Sequence, residues 1–427
     1  MTYKEAVEYM ENAAKRGSIM GLERMERLCE ILGNPQDDLR VIHVAGTNGK
    51  GSISAMVSSI LTSSGKKCGM YYSPALTGIT DHYRICSENI NPEDYTECVA
   101  KIRCANEALK ELTGEEATSF ELETALAFVY FKKKKCDAVV LECGLGGRDD
   151  ATNVVKKKEL CIFSRISMDH MDILGDTIGK IAGVKSGIIT CDCPVVCMDS
   201  GEEALSEIRK SCRKTGSTLR VVSDGDVTGA CDFSGGEIVS YGEYESLHVG
   251  LSGAFQRINA AVAIEAAREI RDEFGITDES IREGLKNVSW PFRFEKIDED
   301  PLTFVDGAHN EGAAKMLCET VRERFSDRKI VFVVGMFKDK ECEKVLSSVL
   351  PLGVKTYVIT TPVKSRAMQA GELAKIAEKY CDDVSVCENI ETARAKASET
   401  AKSLGEGSVV IAFGSLSYLS EYKDGKS

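Results

Sequence analysis

The chain of 427 residues lacks any apolar run long enough to cross a bilayer. Its opening stretch, MTYKEAVEYMENAAKRG, also lacks the apolar core of a secretory signal, so a cytoplasmic location is expected. Positive charge is in deficit: 54 Lys and Arg stand against 67 Asp and Glu, a formal net charge of -13. That balance argues against nucleic acid or an anionic membrane surface as a partner. An anionic substrate is still allowed, provided that cations are concentrated locally. Proline is scarce at 8 residues and tryptophan occurs once. No sequence repeat or low-complexity tract is present, and the composition is that of an ordinary globular protein. Cysteine is plentiful at 17, but a pattern is missing. The count is odd, no C-x-x-C pair has a matching second pair, and CDCPVVC (Cys191, Cys193, Cys197) fits no common zinc spacing. Reduced cysteines serving as small apolar residues are expected.

What the chain does contain is an alternation of apolar β-branched runs and helical patterns. Strands are expected at VIHVAG (41–46), KCGMYYS (67–73), AVVLECG (138–144), LCIFSRIS (160–167) and PVVCM (194–198). Helices are expected over Ser52 to Ser64, Tyr95 to Leu112 and Ser119 to Lys134. Residues 3 to 14 read as a short amphipathic helix with Val7, Met10 and Ala14 on one face. Continuous apolar strands alternating with helices predict an α/β fold with a mostly parallel sheet. Residues 236–253 alternate more like antiparallel edge strands, and a long helix is expected from Ala254 to Phe274. The stretch 287–304, with Pro291, Pro301 and the only Trp, is the best candidate linker. A second α/β set follows in LTFVDGA, KIVFVVGMF, VKTYVIT, DDVSVC and VVIAFGS, with helices at Glu311–Phe325 and Ala370–Lys379. Two domains are expected: 1–291, and a smaller Rossmann-like one over 292–427.

VIHVAGTNGKGS (41–52) places a strand before three glycines, a lysine and a hydroxyl. It departs from G-x-x-x-x-G-K-[ST], because Val44 stands where the first glycine would be and Gly51 separates Lys50 from Ser52. Backbone N–H groups around Gly46, Gly49 and Gly51 can still wrap an anion at a helix N-terminus. Lys50 can neutralise phosphate oxygens and Ser52 can offer its hydroxyl to Mg²⁺. Such a loop points to a nucleoside triphosphate without naming the reaction.

Three polar residues follow candidate strands: Ser73 after CGMYYS, Glu142 within AVVLECG and His170 in ISMDHMDILGDT. Ligands collect at the carboxyl ends of parallel strands, and a carboxylate there can hold Mg²⁺ bound to phosphates. Lys185, in IAGVKSGII, lies on a short apolar helix, where a lone lysine ordinarily snorkels to water.

The segments GLERMERLCEILGNPQ, IHVAGTNGKGS, YYSPAL, TSFELETALAFVYF, LECGLGGRDDATN, MDHMDILGDTIGKIAGVKSGI, LSGAFQRINA, WPFRFE, DGAHN, GMFKDKE and FGSLSYL together resemble the folylpolyglutamate synthase/dihydrofolate synthase family of Mur ligases. The resemblance implies a P-loop Mur-ligase-type central domain with a mostly parallel sheet, followed by a Rossmann-like C-terminal glutamate-ligase domain. It places ATP on Gly46, Thr47, Asn48, Gly49, Lys50, Gly51 and Ser52, with Asn259, Arg293 and Asp306 as further nucleotide contacts. It implies two Mg²⁺ ions, with Ser73, Glu142 and His170 as metal ligands. Lys185 resembles the family lysine that carries a CO₂-derived carbamate, which reverses the snorkelling reading. Thr118, Ser119, Phe120 and Glu121 resemble the segment lining the pterin substrate, and Arg84 is a candidate for the folate's glutamate tail. Lys50, His170 and Lys185 are then the catalytic set. The implied substrates are ATP, L-glutamate and a folate or dihydropteroate, and a monomer is expected. The implied reaction is amide ligation through an acyl phosphate, in a site gripped from both domains.

The sequence departs from the family pattern at Ala75 and Phe255, where His is frequent, at Phe292, where Gly is usual, and at Asp149, where Leu is usual. Asp149 falls near the expected pterin pocket. The KKKK run (132–135) reads as a solvated helix face rather than a tail-binding patch. Two alternatives remain. One is another Mur-type amide ligase, such as a muramyl-peptide enzyme, although the loop at residue 46 leaves no room before it for a UDP-sugar domain. The other is a regulatory module in which ATP only sets conformation.

Overall fold

Unbroken apolar runs form the centre of a sheet because parallel strands are covered on both faces. This computed structural model describes residues 1–14, 17, 19–232 and 235–425. They group into two compact units: 1–227 with 258–288, and 228–257 with 289–427. By contacts, residues 228–257 group with the later residues.

The first unit carries eight strands: β1 (Val41–Ala45), β2 (Cys68–Tyr71), β3 (Tyr83–Ile85), β4 (Glu88–Asn89), β5 (Ala138–Glu142), β6 (Leu160–Phe163), β7 (Val195–Met198) and β8 (Leu219–Val222). Their order is β4-β3-β2-β5-β1-β6-β7-β8. The strands from β2 to β8 across this order run parallel, and β3 and β4 add an antiparallel edge. All five residues of β1 and of β5 are buried. One face is covered by helices Tyr3–Ala14, Glu23–Ile31, Pro92–Thr113 and Ser119–Lys134, and another core gathers Ile181, Ala182, Leu205 and Ile208 around Phe163. Each such fully buried aliphatic side chain contributes roughly 1.5–3 kcal/mol.

Several expectations shift by a residue or two. Helix Lys50–Ser63 starts at the lysine rather than after it. The N-terminal helix buries Ala6, Met10 and Ala13, while Ala14 is exposed. Helix Phe255–Glu269 ends before a separate turn at Arg271–Phe274, so the expected single helix is broken at Ile270. Three of the four lysines at 132–135 are paired: Lys132 with Asp38 at 2.6 Å, Lys133 with Asp94 at 3.0 Å and Lys134 with Asp94 at 2.5 Å. These cations close the C-terminal end of their helix, where the dipole favours them.

Apart from Val227, the second unit holds β9 (Val227–Cys231), β10 (Glu237–Tyr241) and β11 (Tyr244–Val249) as a separate three-stranded sheet, not as an edge of the large one. Its main sheet contains β12 (Glu295–Glu299), β13 (Leu302–Asp306), β14 (Ile330–Val334), β15 (Lys355–Val358), β16 (Val384–Val386) and β17 (Val409–Phe413), ordered β12-β13-β17-β14-β15-β16. The expected linker is therefore partly sheet: β12 lies within it and pairs antiparallel with β13, the expected strand at its end. All 17 cysteines are free thiols, as the composition predicts. Among the described residues no helix is long and apolar enough to cross a membrane.

Candidate active site

β1 is followed by Gly46, whose φ of 141° suits glycine, and a side chain there would overlap the Ser164 hydroxyl. The next two N–H groups, of Thr47 and Asn48, donate to the Arg165 carbonyl at 2.9 and 3.2 Å. Thr47 Oγ1 donates to the Ser167 carbonyl and accepts from the Ser167 N–H, both at 3.1 Å. The Arg165 guanidinium in turn donates to the Asp199 carbonyl at 2.7 Å and to both Asp224 oxygens at 2.7 and 2.9 Å. The loop is thus strapped to the segment following β6. Sequence reasoning missed Arg165 and Ser167, because backbone acceptors more than a hundred residues away leave no local signal.

Gly49 then adopts φ 98° as the residue preceding helix Lys50–Ser63, and a Cβ on it would lie 2.7 Å from Asn259 Oδ1. Gly51 and Ser52 are buried in the first turn. This turn offers N–H groups and a helix N-terminus of partial positive charge. Two lysines add to it. Lys50 Nζ reaches the carbonyls of Gly46 and Thr47 at 3.4 and 3.5 Å, and Lys185 Nζ donates to the Gly46 carbonyl at 2.8 Å. Lys185 is buried at 4% exposure, so it does not snorkel. Burial, followed by the charge of Lys50, pushes its amine down to about 7, against the opposing pull of Cys143, Asp169 and Asp150.

Glu142 ends β5 in register with Val44 of β1, and its buried carboxylate lies 3.9 Å from Lys50 Nζ. Behind it, Gly147 allows close packing: a Cβ there would meet the Lys185 carbonyl at 2.6 Å. Asp150 accepts from the N–H groups of Leu145 at 2.8 Å and Thr152 at 3.0 Å, which fixes the loop between them. Burial raises the Asp150 carboxyl, and hydrogen bonds from Thr152 and the loop backbone oppose the rise. Ser73 lies two residues beyond β2, partly buried, and β2 pairs Tyr71 with Leu141 beside Glu142. His170 has φ 52°, precedes the short helix Met171–Leu174 and keeps its side chain 44% exposed, 3.9 Å from Asp169. No group of three or more His, Cys, Asp or Glu able to hold a metal gathers among the described residues. The expected metal set is sparser, a serine hydroxyl with Glu142 and His170.

The segment expected to line the pterin is partly committed to structure. Thr118 and Glu121 form a capping box on helix Ser119–Lys134, and Glu121 Oε2 also accepts from Arg24 Nε at 2.8 Å. Ser119 stays partly exposed, and the Phe120 ring lies over Gly144, where an added Cβ would come within 2.5 Å of it. Arg84 lies in β3 with its guanidinium carbon 5.3 Å from the centre of the Tyr72 ring. Asp149 is exposed.

Of the expected nucleotide contacts, Asn259 meets the loop within the first unit. Arg293 and Asp306 belong to the second. Asp306, at the end of β13, accepts from the N–H groups of Phe294 and Ala308 at 2.9 and 2.8 Å. Burial raises its carboxyl to about 6 against the attraction of Arg293.

Residues 44–267 match the Mur ligase middle domain and residues 292–416 match the Mur ligase glutamate ligase domain. The chain is 37% identical to the dihydrofolate synthase/folylpolyglutamate synthase of Bacillus subtilis, over 81% of this chain and 82% of that protein. It is 33% identical to the folylpolyglutamate synthase of Lacticaseibacillus casei, over 86% and 87%. The solved structure of Mycobacterium tuberculosis folylpolyglutamate synthase complexed with ADP superimposes with a TM-score of 0.90 at 26% identity, over 99% of this chain and 98% of that one. The two lysines that meet on a glycine loop and these extended likenesses lead to one conclusion: the chain belongs to the Mur ligases, in the folylpolyglutamate synthase/dihydrofolate synthase family.

Proposed function

We infer that the protein is an ATP-dependent ligase that joins L-glutamate to a folate, with dihydropteroate as a second pterin acid for the same site. The observation that carries this reading is the convergence of Lys50 and Lys185 on the Gly46 carbonyl beside Glu142. A pterin carboxylate attacks the γ-phosphorus of ATP, the bond to ADP breaks and an acyl phosphate forms. The glutamate amine then attacks the acyl carbon, loses a proton and expels phosphate. The first step brings two anions together, so positive charge at the loop stabilises its transition state. Lys50 supplies such charge from the first turn of the helix, and Ser52 and the loop N–H groups bind phosphate oxygens.

The oxygen donors fit Mg²⁺. Glu142 is a buried carboxylate beside a phosphate loop, and Ser52 and Ser73 are hydroxyls, the hard ligands that this ion prefers. With His170 they would hold it, and the bound ion would screen charge on the triphosphate. Lys185, with its amine near neutrality, is suited to carbamylation: the neutral nitrogen bonds to the carbon of CO₂ and releases one proton. The product is an anion in place of a cation, fit for a second metal ion. Asn259, Arg293 and Asp306 are assigned to the nucleotide, Arg84 with residues 118–121 to the folate. The protein acts as a monomer in the cytoplasm.

The test is phosphate release with ATP, Mg²⁺, glutamate and either dihydropteroate or a tetrahydrofolate. Release should require pterin and glutamate together, with a product heavier by one glutamyl residue in mass spectra. Equal release without either substrate would instead support a regulatory ATPase.

A further inference from the structure

One side-chain amide joins two segments of the site. Asn153 lies in the turn Ala151–Val154 and is 3% exposed. Its Nδ2 donates to the Arg148 carbonyl at 2.9 Å and to the Gly187 carbonyl at 3.1 Å. Arg148 stands six residues beyond Glu142, and Gly187 two beyond Lys185. The same segments meet through the backbone, where the Arg148 N–H donates to the Val184 carbonyl at 3.0 Å. They fit without slack: a Cβ on Gly147 would lie 2.6 Å from the Lys185 carbonyl oxygen, and one on Gly187 would lie 2.7 Å from the Arg148 Cα. Asn153 thus closes the packing from which Lys185 Nζ reaches the Gly46 carbonyl at 2.8 Å.

Asn153 is held in turn by Lys158, whose Nζ donates to Asn153 Oδ1 at 3.0 Å and to Thr190 Oγ1 at 2.7 Å. A lysine of either charge brings N–H donors, so it fixes which end of the amide faces the two carbonyls. Lys158 is 7% exposed and forms no ion pair with any described residue. A buried amine with no carboxylate beside it is costly, and an apolar side chain of similar length would fill the space without that cost. Burial lowers the Lys158 amine from its ordinary value, against the opposing pull of the Cys161 and Cys191 thiols. Its two acceptors need only two N–H groups, which the amine keeps in both protonation states. Packing alone does not call for a lysine here, whereas orienting the amide does.

We propose that Asn153, oriented by Lys158, is a positioning residue that holds the Lys185 turn against the loop following Glu142, so that Lys185 meets the phosphate loop. This rests on the functional reading above and names the groups that place its lysine.

The test compares Asn153→Asp and Lys158→Met with the wild type, each alone and combined with Lys185→Ala, on the full chain. In Asn153→Asp the carboxylate keeps its bond to Lys158 but donates to neither carbonyl, so the fold is retained and the tie is lost. Phosphate release with pterin acid and glutamate should fall about 10- to 100-fold in kcat, with the KM for ATP changed by no more than about twofold. In the Lys185→Ala background the same substitution should cost no more than about twofold, because a positioning residue loses its effect with the group it places. Hydrogen exchange at the Arg148 amide should quicken in the aspartate variant. Lys158→Met should lower kcat with the same dependence on Lys185, and serves if the aspartate variant fails to fold. Equal losses in both backgrounds, unchanged exchange at Arg148 or an unchanged kcat in a folded variant overturns this inference alone. Absence of pterin-dependent phosphate release in the wild type overturns it together with the functional reading.

Discussion

The Lys185 amine donates to the Gly46 carbonyl at 2.8 Å, joining a helix end to a phosphate loop 139 residues earlier. Its depressed value of about 7 means that close to half the amine is neutral at pH 7. Labelling with ¹³C-bicarbonate should therefore give a carbamate signal at pH 7.5 to 8 that fades below about pH 6. Lys185→Ala should lower kcat by about 100-fold or more, without rescue by bicarbonate. Near-normal turnover in that variant would remove the carbamate role. A stability test follows from the same shift. The folded amine lies below its ordinary 10.5, so the unfolded state binds the extra proton between about 7 and 10.5, and stability rises with pH across that window. Lys185→Met should then raise the Tm most at pH 6, with the gain shrinking towards pH 10.

Glu142 lies 3.9 Å from Lys50, close enough for each charge to condition the other. Glu142→Gln should raise the Mg²⁺ concentration for half-maximal activity by about tenfold or more. Lys50→Met should instead lower kcat by about 100-fold with a smaller change in Mg²⁺ dependence. A metal titration of both variants separates the two roles, and identical titration curves would refute the division.

Gly49 combines a φ of 98° with Asn259 Oδ1 at 2.7 Å from the place of a Cβ. Gly49→Ala should cost about 1–3 kcal/mol and raise the KM for ATP. Adding Asn259→Ala relieves the overlap but not the backbone strain, so the double variant should recover only part of the lost stability. Full recovery in thermal unfolding would mean that the overlap alone matters.

Phe292 stands where the family usually has glycine, and its φ of 59° supplies the reason for that preference. Replacing it by glycine relieves about 1–2 kcal/mol of left-handed strain. Its ring, however, is wholly buried, and deleting a buried Phe costs about 3–5 kcal/mol. Burial should win: Phe292→Gly should unfold at lower denaturant concentration than the wild type. A rise in the midpoint would show that strain dominates.

Most strands were legible because a buried parallel strand has to be apolar along its whole length, as in Val41–Ala45 and Ala138–Glu142. The edge strands Tyr83–Ile85 and Glu88–Asn89 were missed, since short strands exposed on one side carry little pattern. The stretch 287–304 read as a linker for its prolines and charges, yet β12 forms within it because β13, legible as the apolar run LTFVDGA, supplies its hydrogen-bond partners. The phosphate loop was legible through Gly46, Gly49, Lys50 and Ser52, whose backbone and charge requirements are local.

By itself the sequence determined the alternation of strand and helix, the loop at the end of the first strand and the family to which the chain belongs. The first two follow from periodicity and from contiguous residue types, and the family from the resemblance of its motif segments. Only the tertiary structure decided that Lys185 is buried against Gly46, that Arg165 braces the loop and that Thr118 and Glu121 serve a helix cap. Each of these depends on which distant groups exclude water from a side chain or offer it a partner, and a charge's energy is set by those neighbours rather than by its place in the chain.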